Sequence, residues 1–367
     1  MIYLDANATE PPRPEARAAM LAALDLPGNP ASIHGPGRQA RHLLETARTT
    51  IAVAFNAAAA DLVFCSGGTE ANAMAIAGLS PGRRILYGAT EHDAVRAACA
   101  GGEALPVDSD GTLNLEALEA ALKRGGAALV CVMLANNETG VVTPMAPIAT
   151  LCRAHGARLH VDAVQAAGRI PLDAAALDAD TVAISAHKLG GPKGAGALLL
   201  HPGLAFPALI AGGGQEKFRR GGTQALPAIA GFAAAVEAAV ASMQRTASHL
   251  ASLRDRLEQA AIDLGARVCG AGPRLPNTTC LALPGAKAET QVIALDLAGV
   301  AVSAGAACSS GKVARSHVLE AMGLHELAGC AIRVSLPWSA TDQDIDGFLA
   351  AYAAVAARLG GRMAAAE

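Results

Sequence analysis

Between about residues 15 and 225, short apolar runs alternate with longer stretches of helical periodicity. The runs at 61–64, 84–87, 127–133, 157–161, 181–185 and 197–200 have the length of strands, and the segments between them can hold crossover helices. This alternation predicts an α/β fold built on a mainly parallel sheet with helices on both faces. Such a sheet gathers the C-terminal ends of its strands at one edge, where ligands bind. A helical pattern then runs from 227 to 264, followed by strand candidates near 278–283 and 332–336 and a last helix after Thr341. That second pattern predicts a smaller α+β unit. We expect a large domain over residues 13–240, with residues 1–12 joining 241–367 in the small one. No internal repeat or low-complexity linker interrupts the chain, and Gly212-Gly213-Gly214 reads as a loop.

The composition narrows the class. The 367 residues are 52% hydrophobic and 17% charged, and much of the apolar share is alanine scattered through polar positions, as in a soluble globular protein. The alanine-rich stretch 225–243 contains Pro227, Gly231 and Glu237, so it reads as a helix after a turn and not as a membrane span. The first residues lack a basic segment followed by an apolar one, so no secretion signal is expected and the compartment should be cytoplasmic. With a formal charge of −3 and no basic block, nothing suggests DNA or RNA as a partner. The eight cysteines form no C-x-x-C pair and no metal-finger spacing, so no metal site is expected, and seven of them read as small buried hydrophobes.

The chemistry gathers at the strand ends. The run 181–185 leads straight into Ala186-His187-Lys188 and then Gly190-Gly191. A lysine at a strand end among small residues suits covalent chemistry on a carbonyl cofactor, such as a Schiff base with pyridoxal 5'-phosphate (PLP). Upstream, the run 157–161 ends in Asp162-Ala163-Val164-Gln165; a carboxylate at a pyridine nitrogen keeps that nitrogen protonated and deepens the electron sink. Thr90-Glu91-His92 follows the run 84–87, and Asn136-Asn137-Glu138-Thr139-Gly140 follows 127–133. Cys65-Ser66-Gly67-Gly68-Thr69-Glu70 opens a helix after 61–64, and free N–H groups at such a helix start suit a phosphate. Each feature alone has a plain structural explanation: a lysine solvating a turn, an aspartate capping a helix, a structural histidine, a capped glycine turn. Four successive strand ends offering functional groups to one edge favour a site.

The motifs, in order, are Asp5-Ala6-Asn7-Ala8-Thr9, Gly28-Asn29-Pro30 through His34, Ser66-Gly67-Gly68-Thr69-Glu70, Thr90-Glu91-His92, Asn136 through Gly140, Asp162 through Gln165, Ser185 through Lys188, Arg220-Gly221-Gly222-Thr223 and Ser303 through Cys308. This set resembles the NifS/IscS-type cysteine desulfurases, PLP enzymes of fold type I in the class V aminotransferase group; the resemblance spans nearly the whole chain and implies a large domain with a mainly parallel, seven-stranded type of sheet beside a smaller α+β domain. It implies that Lys188 holds PLP and shuttles protons, that His92 stacks on the ring, and that Asp162 pairs with the ring nitrogen while Gln165 and Asn137 lie near its phenolic oxygen. It further implies a phosphate held by Gly68, Thr69, Ser185 and His187, joined by the partner subunit's Thr223 in a homodimer. Arg333 matches the substrate-carboxylate arginine, with Asn7 as a helper, and Cys308 matches the sulfur-accepting nucleophile. The residues around Cys308 are small and polar, unlike the packing of a core cysteine.

The implied reaction removes sulfur from L-cysteine, giving L-alanine and a persulfide on Cys308 that passes to an acceptor protein for iron–sulfur cluster assembly or another thiolation. The alternative within the group is a selenocysteine lyase or an aminotransferase; a non-catalytic sulfur carrier is a third reading. The chain ends at Glu367 without the longer tail that many members use to dock an iron–sulfur scaffold, which leaves the acceptor open.

Overall fold

The computed structural model describes residues 1–305 and 315–360. The apolar runs form a seven-stranded sheet with the spatial order Leu62–Cys65, Gly196–Leu200, Thr181–Ser185, Arg158–Asp162, Ala128–Met133, Arg84–Gly88 and Glu103–Leu105. The last five of these run parallel. Gly196–Leu200 is antiparallel to both its neighbours, so the sheet is mixed. Ala128–Met133 and Thr181–Ser185 are buried along their whole length, as strands covered on both faces are. Glu103–Leu105, with two exposed residues of three, is a short polar edge that no apolar run announces.

A second sheet has the order Ser303–Ala304, Ala331–Ser335, Thr278–Ala282 and Arg267–Val268, all antiparallel. Ile2–Tyr3 pairs in parallel with Val300–Ala301, so the N-terminus joins this C-terminal half. The helix Leu226–Asp263 connects the two cores. Pro227 opens its first turn, where the missing N–H costs no hydrogen bond. Its first half buries Ile229, Phe232 and Val236 against the large sheet, and its second buries Leu250, Leu253 and Leu257 against the small one. Each such side chain contributes about 1.5–3 kcal/mol by leaving water. The helix is long and apolar enough to cross a membrane by composition, yet half of its most apolar window is buried inside the protein.

The chain between the two sheets positions the site. Leu4 and Ala6 exchange backbone hydrogen bonds with Ser335 of the small sheet. A few residues on, Glu10 N donates to His187 O and Arg13 N to Gly190 O, both at 2.8 Å, so the same segment then lies on the loop after Thr181–Ser185.

A buried ion pair holds the segment 215–224 against the sheet. Arg48 Nη1 and Nη2 donate to Glu216 Oε2 and Oε1 at 2.7 and 2.9 Å, and Glu216 also accepts from Phe64 N at 2.9 Å and Gln224 Nε2 at 2.9 Å. Glu216, Lys217 and Phe218 all hold positive φ (48°, 57° and 64°), a run that costs energy in residues bearing a Cβ. Removing one member of a buried pair strands the other charge. Glu216→Ala is therefore expected to lose about 3–5 kcal/mol of stability, read as a lower denaturant midpoint, and an unchanged midpoint would contradict the role given to the pair.

Candidate active site

At the C-terminal edge of the parallel strands lies a cavity of about 220 Å³. Lys188 enters it because Thr181–Ser185 ends in a single tight turn, Ala186–Lys188, closed by Leu189 N and Gly191 N donating to Ala186 O at 3.1 and 2.9 Å. Lys188 Nζ donates to the backbone carbonyls of Asn7 at 2.5 Å and Ala8 at 3.0 Å. Burial, with the guanidinium groups of Arg333 and Arg169 nearby, lowers Lys188 to about 7. Its amine is thus partly uncharged near neutrality, as a nucleophile or base must be.

Asp162 closes its strand with the carboxylate directed at the same cavity. Oδ2 accepts from Asn72 Nδ2 at 2.7 Å and Oδ1 from Val164 N at 2.9 Å. Burial pushes its pKa up, while the Val164 amide, His92 and Asn72 pull the other way. Behind Asn72, its Oδ1 meets His160 Nε2 at 2.9 Å, and His160 Nδ1 meets Thr181 Oγ1 at 2.8 Å. The sequence reading passed over Asn72, His160 and Thr181. A signal was present: His160 stands two residues before Asp162, hence on the same strand face, and the parallel register pairs it with Thr181.

His92 caps the helix Asp93–Ala98, its Nδ1 accepting from Ala94 N at 3.1 Å, which leaves Nε2 to carry the ring proton. Desolvation at the cavity wall lowers its pKa, so the ring is neutral near pH 7. Asn137 and Gln165 line the cavity as well. Gln165 Nε2 donates to Asn7 O at 3.0 Å, and its Oε1 accepts from Arg169, which fixes the orientation of the amide.

The opposite end suits an anion. Gly67, at φ 154°, adopts a backbone region open almost only to glycine, and turns the chain into the helix Gly68–Leu79. A Cβ on Gly68 would lie 2.7 Å from Val164 Cγ2, so close approach there requires its absence. Ser185 Oγ is buried and has no partner among the described residues, while Thr69 and His187 share the cavity wall. His187, lowered to about 4 by burial and by Lys188 and Lys193, is neutral. A helix N-terminus with an unpartnered hydroxyl beside it is what a phosphate requires.

Three expected residues lie outside the cavity wall. Asn7 is buried with its amide committed: Nδ2 donates to Asn137 O and Thr278 Oγ1, each at 3.0 Å, and Oδ1 accepts from Arg169 Nη1 at 2.9 Å. Its side chain thus joins the small sheet to residue 137 and to Arg169. Arg333 pairs with Asp5 at 2.7 Å and with Asn137 O at 3.2 Å, and its buried Nε has no partner among the described residues. Thr223 is exposed and lines a separate cleft of about 120 Å³ with Cys65, Ser66 and Arg220. Cys308 falls outside the described residues.

The family model described as aminotransferase class V matches residues 2–348. The chain belongs to the class V aminotransferase family. Among its relatives in this family, a cysteine desulfurase of Cereibacter sphaeroides is 44% identical over 366 residues, covering 95% of this chain and 94% of that protein. A cysteine desulfurase IscS of Dictyoglomus turgidum is 38% identical over 362 residues, covering 94% and 92%. The solved structure of a NifS-like protein from Rickettsia africae superposes with a TM-score of 0.91 at 34% identity, over 97% of this chain and 99% of that one. The mixed sheet and its companion therefore form the fold type I arrangement of this class V aminotransferase.

Because the folded protein lowers Lys188 to about 7, reductive alkylation of its amine, in protein cleared of bound carbonyl compounds, should rise as pH passes through about 7 and then level off. Labelling followed by peptide mapping reads this directly. A profile still climbing near the ordinary lysine value of about 10.4 would contradict the burial argument.

Proposed function

We propose that this class V aminotransferase is a cysteine desulfurase that uses PLP to take sulfur from L-cysteine, releasing L-alanine and carrying the sulfur as a persulfide on Cys308. The observation that carries the reading is the meeting of Lys188, Asp162 and the unpartnered Ser185 hydroxyl around one cavity, in a chain 44% identical to a cysteine desulfurase. The residues present fit the cofactor: Lys188 for the aldehyde, Asp162 for the ring nitrogen, and Gly68, Thr69, Ser185 and His187 for the phosphate. His92, Asn137 and Gln165 complete the surroundings of the ring. Bound there, PLP supplies an electron sink for the charge left when the substrate's Cα loses its proton.

The chain's own groups do the rest. Lys188, partly uncharged, takes and returns the Cα proton, and the neutral His92, with its proton on Nε2, assists proton transfer at the ring face. Arg333 is the substrate-carboxylate residue by its match to the family motif. The thiolate of Cys308 attacks the substrate sulfur; the S–S bond forms as the C–S bond breaks, and the electron pair stays with the carbon skeleton that becomes alanine. The other seven cysteines are 7% exposed or less, so burial withholds them from a substrate sulfur.

The persulfide serves an acceptor protein in iron–sulfur cluster assembly or another thiolation. The site belongs to a large domain over residues 13–240, with residues 1–12 and 241–367 forming the small one. The unit is a homodimer in which the partner subunit's Thr223 completes the phosphate site. Ile33, Leu209, Ile210 and Phe218 are each 43% exposed or more, and a second copy would cover them. The unpaired state of the seven described cysteines accords with the reducing cytoplasm.

Cys308→Ala is expected to keep the visible absorbance of the bound cofactor and lose alanine formation from cysteine, whereas Lys188→Ala loses the absorbance itself. Full turnover by the Cys308 variant would remove that residue from the mechanism, and equal or better turnover of selenocysteine or a 2-oxo acid would reassign the substrate. Sedimentation should give a dimer, with Thr223→Val weakening cofactor retention; an active monomer would dismiss the shared site.

A further inference from the structure

The hydrogen bonds behind Asp162 have a direction. Asn72, His160 and Thr181 are 1%, 0% and 0% exposed and belong to a helix and two neighbouring strands. Along the line from Thr181 to Asp162 the separations are 2.8, 2.9 and 2.7 Å, so every link is a full hydrogen bond. With the imidazole neutral, two proton arrangements satisfy the three links. In the first, the Thr181 hydroxyl donates to His160 Nδ1, His160 Nε2–H donates to Asn72 Oδ1, and the Asn72 amide donates to an ionised Asp162. In the second, all donors reverse: a protonated Asp162 donates to Asn72, whose amide faces His160 Nε2, and His160 Nδ1–H donates to Thr181.

The ends of the line choose between them. Among the described residues, His160 Nδ1 is the hydrogen-bond partner of the Thr181 hydroxyl. The second arrangement would leave that buried O–H with no acceptor, a cost that the first avoids. At the other end, Val164 N–H donates to Asp162 Oδ1, which also favours the carboxylate. We propose that Thr181, His160 and Asn72 act as positioning residues, a one-way relay whose donors all run toward Asp162 and hold it as a carboxylate aimed into the cavity. Their job is to offset the burial of that charge, so that Asp162 meets a pyridinium N–H as an acceptor. Burial independently keeps the His160 ring neutral, lowering it to about 4, so that a single tautomer completes the line.

The relay rests on the reading of Asp162 as the partner of a ring nitrogen, but its signature belongs to the protein alone. Long-range proton–nitrogen spectra of the full-length, cofactor-loaded protein labelled at histidine, with His160 assigned through His160→Gln, should show one neutral tautomer protonated at Nε2 and bare at Nδ1. Thr181→Val should abolish the single-tautomer signal and lower kcat for alanine formation about tenfold, the effect of one lost buried hydrogen bond, with KM little changed. Thr181→Ser, which returns the hydroxyl, should restore both. A His160 protonated at Nδ1 or at both nitrogens, or a Thr181→Val protein with native tautomer and native kcat, would overturn the relay. The predicted tautomer in a protein that turns over no cysteine would keep the relay and reject the proposed activity instead.

Discussion

The arrangement of the site depends on one buried amide. Asn7 leaves the small sheet with its neighbours hydrogen-bonded to Ser335, and its side chain then bonds Thr278 of that sheet, the Asn137 carbonyl beyond the large sheet, and Arg169. Its carbonyl accepts from both Gln165 and Lys188. A buried polar group with every site satisfied specifies one geometry, because any displacement leaves several partners unmatched at once. Arg169 is secured in turn by Glu10 at 3.1 Å, and Glu10 by the backbone N–H of Trp338 at 2.6 Å. The amine of Lys188 is therefore placed with reference to both sheets, although the residue itself belongs to only one.

Desolvation then sets the chemistry that this geometry can do. In water, Lys188, His92 and Asp162 would show ordinary lysine, histidine and aspartate behaviour. Inside the cavity, burial brings Lys188 down to about 7 and keeps His92 neutral, while the polar groups around Asp162 resist the rise that burial would otherwise impose on it. Glu91, beside His92, lacks such support. Among the described residues one oxygen accepts from Met133 N at 2.7 Å and the other has no partner, and burial, with the Asp162 charge nearby, drives its pKa well up. Burial pushes both carboxyl groups up, and Asp162, which accepts from Asn72 and Val164, has more donors to offset it than Glu91 has.

The degree to which the sequence reveals this follows from the range of the interactions. The six long apolar runs became strands within a residue or two of their expected limits, since a doubly covered strand must be apolar throughout. The strand-end residues Lys188, Asp162, His92 and Asn137 could be assigned to one edge because parallel strands all end there. Strands of two or three residues, such as Glu103–Leu105 and Arg267–Val268, leave too short a pattern to read. The antiparallel direction of Gly196–Leu200 follows from the tight turn through Lys188, which leaves no room for a crossover helix. The reading was least complete for polar groups that act through one another. The bracing role of Asn7 could not be read from its motif, which gives a residue's neighbours in sequence and not the partners of its side chain, here residues 137, 169 and 278. His160 resembled an ordinary strand residue for the same reason: its meaning lies in Asn72 and Thr181, and only the register of the folded sheet brings those groups to its two nitrogens.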